Sequence, residues 1–329
     1  MILIIILNWN GWRDTIECLD SIYNLKNSFF SVLVIDNGST DDSVTQLKKY
    51  IEDKRLYYEC VKEGESLREA LRDKELILYK LNQNYGFAKG NNLGLKLISG
   101  EKIEYYWILN NDTVIDENSM SVLKNFMDNH KEYYAITPQI RYFSEKNKIW
   151  NCGGKISFGF RKYYYADKKD IEFNKEVINI SFITGCALFI RPELLNENGV
   201  LFTEKFFFGE EDFELSLRMN QAQQQMACIV KSLIFHKVGS SSKNNVPLSN
   251  SYIYYLNRYI NLRQHFSEFK FRLWRIVSNS YIIFLFNTYK IKNRIIYRFL
   301  KRLNRECYQF DGVSKDIFES IRNDRSQWT

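Results

Sequence analysis

"YYWILNNDTVID", residues 105–116, opens with five apolar or aromatic side chains, Tyr105 to Leu109, and then spends three successive positions on Asn110, Asn111 and Asp112. The first half reads as a buried strand. The second half is either a turn, since Asn and Asp build turns through their own side-chain hydrogen bonds, or a set of polar groups that hold a ligand. The flanking sequence weighs on that choice.

Upstream, short apolar runs alternate with helical patterns. "ILIIIL" (2–7) is followed by a predicted helix from Asp14, which can cap it with Glu17 as the reciprocal partner, and Ile16, Leu19, Ile22 and Tyr23 share one face. "SVLVID" (31–36) precedes the turn Asn37-Gly38-Ser39-Thr40-Asp41 and a helix with Val44, Leu47 and Ile51 inward. Residues 53–75 read as a charged, helix-prone, exposed excursion. "LILYKL" (76–81) leads through a Gly- and Asn-rich stretch to a helix near 90–99.

Strand and helix in alternation predict an α/β fold, a mostly parallel central sheet flanked by helices. Ligands of such sheets bind beyond the carboxyl ends of the strands. Asn8, Asp36, Asn84 and Asn110 to Asp112 all follow predicted strands. Their convergence on one crevice favours a site over several unrelated turns.

Past residue 135 come "AITPQIRYF", "WNCGGKISF" and "SFITGCALFIRPELL", the last read as a strand with Gly185 inside it, where a backbone or ligand approaches closely. "FFFGEEDFELSLRMNQA" puts Glu210, Glu211 and Asp212 at the entrance of a helix whose Phe213 and Leu217 share a face. "IVKSLIFHKVGSSS" is a strand with His236 at its end.

Bulk properties narrow the class. The 329 residues are 45% hydrophobic and 16% aromatic, enough for a large core. Six scattered cysteines without a C-x-x-C argue against a zinc site and fit reduced thiols in a cytoplasmic protein. The N-terminus lacks a basic n-region and a cleavage site, and its apolar run is too short to span a bilayer. Residues 251–305 carry four Lys and eight Arg against Glu268 alone, whereas the whole chain has a net charge of +7, so a mildly acidic body carries a basic tail. We therefore divide the chain into an α/β body (1–250), which the resemblance described next makes the catalytic domain, and a basic, aromatic-rich helical region (251–329). The apolar stretch at 281–286, flanked by Lys and Arg, is expected to lie in the interface of an anionic bilayer.

Seven blocks, "ILNWNGWRDTIECLDSI", "VLVIDNGSTDDS", "NQNYGFAKGNNLGL", "WILNNDTVID", "FITGCALFIRPELL", "FFFGEEDFELSLR" and "IFHKVGSS", occur in the order seen in inverting family 2 glycosyltransferases. The chain resembles most the rhamnosyltransferase-like branch that builds bacterial O-antigens and capsules, over residues 2–265. The resemblance implies a GT-A fold, a nucleotide-diphospho-sugar donor (dTDP- or UDP-linked), Mg²⁺ or Mn²⁺, and a glycan or lipid-linked saccharide acceptor. It places the enzyme in the cytoplasm, peripheral on the inner face of the cell membrane, where lipid-linked acceptors are.

The same resemblance suggests roles. Asp36 is similar to the carboxylate that accepts from the pyrimidine ring N–H. Asn8 and Trp9 stand where the family lines the base pocket, though Trp9 is also read as core. Gly86 lets the backbone pass close to the nucleotide, Lys89 faces phosphate or solvent, and Asn91 reaches the ribose or a strand end. "NND" matches the family's D-x-D, with Asn110 in place of the first acid, Asn111 against the ribose and Asp112 as metal carboxylate. A diphosphate brings its own oxygens, so the cation needs few protein ligands. His236 resembles the distant second metal ligand. "EED" lines up with the family's E-D pair, making Asp212 the candidate base and Glu211 its neighbour or a contact to acceptor hydroxyls; Gly209-Glu210 stands where an aromatic is usual, which leaves open which acid points inward. A sugar nucleotidyltransferase would need a Gly-rich, Arg-containing loop that "NWNGWRD" does not supply. The alternative from another class is a nucleic-acid- or polyanion-binding protein using the basic tail. Its aromatics come mixed with Ile and Leu, as in an amphipathic helix, so no nucleic acid is expected.

Overall fold

The computed structural model describes residues 1–26, 29–67, 71, 75–237 and 248–323. The chain begins β1 (Ile2–Asn8), α1 (Trp12–Tyr23), β2 (Phe30–Asp36), α2 (Ser43–Asp53), β3 (Tyr58–Lys62), β4 (Leu76–Lys80), α3 (Phe87–Leu97) and β5 (Tyr105–Asn110). It continues with β6 (Thr113–Ile115), α4 (Ser119–Asn129), β7 (Tyr133–Tyr142), β8 (Ile149–Asn151), β9 (Gly154–Ser157), β10 (Phe160–Tyr163), β11 (Val177–Ile180), β12 (Ala187–Ile190), α5 (Glu211–Gln221) and β13 (Gln225–His236). Four helices follow: α6 (Leu248–His265), α7 (Glu268–Thr288), α8 (Asn293–Gln309) and α9 (Lys315–Asn323).

One large sheet has the order β11-β13-β7-β12-β5-β1-β2-β4-β3. Its contiguous strands β3, β4, β2, β1 and β5 are mutually parallel. β12 then enters antiparallel between β5 and β7, and β9 and β10 form a separate hairpin. Because successive side chains of a strand point to opposite faces, Ile2, Ile4 and Ile6 of β1 enter one apolar layer and Leu3 and Ile5 the other. Both layers are covered by helices, which is why these strands read as unbroken apolar runs. The chain steps from β1 outward to β2 and later returns to β5 on the other side, so β1 borders a switch point where a crevice opens. Registers fix what lines it: Asn8 pairs with Asp36 across β1 and β2, and Leu7 with Asn110 across β1 and β5.

Several local expectations change. α1 begins at Trp12 and Gly11 is its N-cap, so Asp14 does not cap it. Asp14 and Glu17 instead hold Lys237 Nζ at 2.7 and 2.5 Å. Within 53–75, β3 is an edge strand rather than helix-prone excursion, because Val61 is buried and Tyr58 and Cys60 pack on the core; residues 68–70 and 72–74 lie outside the described ones. α3 starts at Phe87, earlier than 90. Gly185 sits in the turn before β12, not within a strand.

The helical region is built into the body. Its buried residues, among them Tyr252, Tyr259, Trp274 and Phe299, share one apolar cluster with Phe182, Phe206, Phe213 and Leu217. The 281–286 stretch belongs to the 21-residue helix α7, where Ile282 and Phe286 face inward and are buried. Among the described residues no helix is long and apolar enough to cross a membrane.

Candidate active site

The carboxyl ends of β1, β2 and β4 are tied together by short polar side chains. Asn8, fully buried, donates from Nδ2 to Asp36 Oδ1 (3.0 Å) and Ser39 Oγ (3.2 Å), and accepts from Thr15 Oγ1 (2.8 Å). Its polar atoms are thereby engaged in holding Asp36. Asp36 Oδ2 also accepts from the Ser39 N–H, at 3.2 Å. Each carboxylate oxygen has two lone pairs, so acceptor capacity remains. Trp9 is 52% exposed, which excludes core packing for it. Asn37 links β2 to the loop after β4, donating to Asn84 Oδ1 (3.0 Å) and accepting from the Tyr85 N–H (3.0 Å).

Gly86 has φ +82 and caps α3, and a Cβ there would overlap the carbonyl of Phe207. The close approach that requires glycine is therefore to the chain's own 207 backbone. Lys89 Nζ stands 4.8 Å from the Tyr85 ring centre. Asn91 is buried and donates to the Phe87 carbonyl within α3, while its Oδ1 has no hydrogen-bond partner.

At the end of β5, the Asn110 N–H donates to the Cys186 carbonyl at 2.9 Å, and Asn111 Nδ2 donates to the Gly11 carbonyl (3.2 Å) and Thr15 Oγ1 (3.1 Å). Asp112 is joined to the far end of β13, where its carbonyl accepts from the Lys237 N–H. His236 Nε2 stands 3.0 Å from Asp112 Oδ1. That oxygen and the other ring nitrogen, Nδ1, are buried without a hydrogen-bond partner. Trp150 meets the imidazole edge to face at 4.6 Å. Burial works against charge on His236, yet Cys186 and Asp112 outweigh it and push the imidazole up to about 10. The "VGSS" end of this block, residues 238–241, lies outside the described residues.

Asp112 and His236 fit a divalent cation. An orphaned carboxylate oxygen suits either Mn²⁺ or Mg²⁺, and the imidazole beside it, once the cation displaces its proton, adds a nitrogen donor that suits Mn²⁺ better than Mg²⁺. Two adjacent octahedral ligands at about 2.1 Å from one ion stand roughly 3 Å apart. No group of three or more His, Cys, Asp or Glu able to hold a metal exists among the described residues.

The acids of 210–212 separate cleanly. Glu210, at φ +73, is gripped by Arg258 of α6 through Nε and through Nη2 (2.9 Å to Oε1). Both side chains are at most 5% exposed. Asn257 donates to the carbonyls of Phe208 and Gly209, and Asn261 to that of Glu210. α6 thus fixes the turn that launches α5. Glu211 is buried and its Oε2 has no partner; burial and then the charge of Asp212 push its carboxyl up to about 8. Asp212 keeps 21% of its side chain exposed. Its Oδ2 accepts from the Gly185 N–H (3.3 Å), and Arg161 Nη1 stands 3.8 Å from its Oδ1. Burial raises the Asp212 pKa and Arg161 opposes the rise. Asp212 is tied to Gly185, and Asn110 to the carbonyl of the next residue, Cys186, so the turn before β12 links the start of α5 to the end of β5.

Arg161 and Arg258 are the functional candidates that sequence reading missed. Arg161, on the short strand β10, also lies against the rings of Phe182 and Tyr163. Arg258 belongs to the basic tail, yet it is 4% exposed and its guanidinium sits 3.5 Å from the Phe213 ring centre. A trace existed: Asn257, Arg258 and Asn261 form a polar group at helical spacing among apolar residues.

Residues 3–199 match "Glycosyl transferase family 2". An uncharacterised glycosyltransferase of Rickettsia bellii is 27% identical over 150 residues, 44% of this chain and 18% of that protein's length. Among solved structures, the mannosyltransferase PcManGT of Pyrobaculum calidifontis, in complex with GDP-Man and Mn²⁺, is similar over 80% of this chain and 62% of its own, with a TM-score of 0.51 at 15% identity. S. aureus TarS 1-349, in complex with UDP-GlcNAc, is similar over 99% of this chain and 87% of its own, with a TM-score of 0.55 at 14% identity. Likeness at these identities establishes the shared fold, GT-A.

Proposed function

The chain belongs to glycosyl transferase family 2, and from that premise we propose that it is a metal-dependent, inverting glycosyltransferase. It moves a hexose from a nucleotide-diphospho-sugar to a hydroxyl of a glycan or lipid-linked saccharide. The observation that supports this most directly is the pairing of Asp112 Oδ1 with His236 Nε2 at 3.0 Å, with Asp212 and Asn110 tied to the adjacent residues Gly185 and Cys186. The neighbour that carries GDP-Man and Mn²⁺ on the same fold is consistent with it.

Asp112 and His236 would hold the cation, Mg²⁺ or Mn²⁺, which when bound supplies positive charge to the diphosphate oxygens. Asp36, oriented by Asn8 and Ser39, accepts from the base of the nucleotide. Asn111 and Lys89 border the ribose and phosphates. On the opposite side Asp212, partly exposed where Glu211 is buried, receives the acceptor proton. The acceptor oxygen bonds to the anomeric carbon as the carbon–diphosphate bond breaks. The bonding pair leaves on the diphosphate and the proton passes to Asp212 Oδ1. Inversion follows from attack on the face opposite the leaving group.

The sequence resemblance favours rhamnose, carried by dTDP or UDP, and O-antigen or capsule synthesis at the cytoplasmic face of the bacterial membrane. Thermal-shift measurements against a panel of sugar nucleotides with Mn²⁺ test the reading. A bound donor raises the Tm by linkage, and the right sugar and base raise it most. No shift with any sugar nucleotide, with or without Mn²⁺, overturns it.

A further inference from the structure

α7 is apolar on two sides. Phe271, Trp274, Ile282 and Phe286 point into the helical cluster and are buried. On the other side Phe269, Leu273, Ile276, Val277 and Phe284 form a stripe at helical spacing, with Phe269 73%, Ile276 63% and Phe284 69% exposed. A helix apolar all round needs cover on both sides. Beside the stripe a cleft of about 440 Å³ opens between α7 and α8, lined by Ile283, Ile296, Tyr297 and Leu300 together with Asn293, Lys301 and Asn304.

The charge around the stripe has one sign. Between Glu268 and Glu306 the sequence has ten Lys or Arg and no acid. Glu268 itself is bonded to Arg272. A second copy of the chain pressing the same face against this one would bring the two basic sets together. An anionic surface would not.

We propose that this face of α7 and α8 lies flat in the headgroup region of an anionic bilayer. The α7 stripe is inserted, Lys290, Lys292, Arg294 and Lys301 meet lipid phosphates, and the α7–α8 cleft receives acyl chain. Phe160 and Arg161 are neighbours on β10 and point to opposite faces. Phe160 packs on Trp274 and Tyr281 of α7, whereas Arg161 reaches Glu210 and Asp212. One strand therefore separates α7 from the candidate base, and the exposed stripe lies on the side of α7 turned away from that strand. Only the role of Asp212 as base rests on the function proposed above.

Vesicle flotation of the full chain tests it without any sugar nucleotide. Vesicles half phosphatidylglycerol and half phosphatidylcholine should carry the protein at low salt, and pure phosphatidylcholine vesicles should not. Binding should fall by at least about tenfold at 1 M salt, where the Debye length is near 3 Å. Ile276→Glu with Phe284→Glu should weaken binding to anionic vesicles by at least about tenfold. Both side chains are exposed, so the variant should keep its Tm and its stabilisation by a sugar nucleotide. Lys290→Gln with Lys292→Gln, which leaves the stripe intact, should lower binding at low salt only. Unchanged flotation of the stripe variant overturns the proposal. A dimer in solution that the stripe variant dissociates, with no flotation of the parent chain, assigns the face to a second copy instead. Flotation as expected without donor stabilisation leaves the surface standing and removes the enzymatic reading alone.

Discussion

Arg161 Nη1 lies 3.8 Å from Asp212 Oδ1 and equally 3.8 Å from Glu210 Oε1, so one guanidinium on the β9–β10 hairpin addresses both acids at the start of α5. Burial pushes the Asp212 pKa upward and Arg161 holds it back. Removing that charge should raise the pKa, so Asp212 would need a higher pH to act as a base. In Arg161→Met the acid limb of the pH profile of kcat/KM is expected to move to higher pH, with donor affinity unchanged. An unmoved limb would separate Arg161 from the base.

Arg258 and Glu210 form a buried ion pair that joins α6 to the turn before α5. Breaking such a pair from one side leaves an uncompensated charge and costs about 3–5 kcal/mol. Arg258→Met should therefore lower stability on that scale in denaturant unfolding, and the double variant with Glu210→Gln should recover part of the loss. If the single variant is as stable as the parent chain, the ion pair is not what fixes the turn.

Glu211 gives stability a pH dependence of known sign. Its folded pKa, about 8, lies above the ordinary 4.5, so its neutral form is favoured by folding. Its contribution is full below about 4.5 and is lost as pH rises through 8. Tm measured from pH 5 to 9 should decline for the parent chain more than for Glu211→Gln. Parallel curves would mean that Glu211 ionises freely in the folded protein.

For the cation pair, isothermal titration of donor with Mn²⁺ separates the positions. Asp112→Asn should abolish cation-dependent donor binding, His236→Ala should reduce it less, and Asn110→Ala should only weaken it. Full transfer activity in excess chelator contradicts the metal assignment.

Four of the five parallel strands, β1, β2, β4 and β5, were legible because they are buried on both faces and read as apolar runs. The same logic brought Asn8, Asp36 and Asn110 to one edge. It could not reveal that Asn8 is consumed in holding Asp36, since a side chain's partners sit on other elements, here Ser39 in the turn after β2 and Thr15 on α1. Gly86 was legible as a close approach, but the approaching group is Phe207, more than a hundred residues on. β3 was hidden by charged neighbours: an edge strand needs only one or two inward residues, and Val61 supplies the deepest. Arg258 was masked by composition. A basic tail reads as surface, and only the fold shows that Glu210 draws this one arginine inside.

The assignment of Asp212 as base is tested most directly by transfer kinetics of Asp212→Asn measured beside donor titration. General-base catalysis contributes roughly 10²–10⁴-fold, so kcat should fall on that scale while donor affinity stays close to that of the parent chain. Glu211→Gln should lose less, mainly through acceptor KM. An Asp212→Asn enzyme that transfers at the parent rate while Glu211→Gln is inactive would contradict the assignment and move the base one residue back. Loss of donor binding in Asp212→Asn would contradict it differently, by placing that acid with the cation at Asp112.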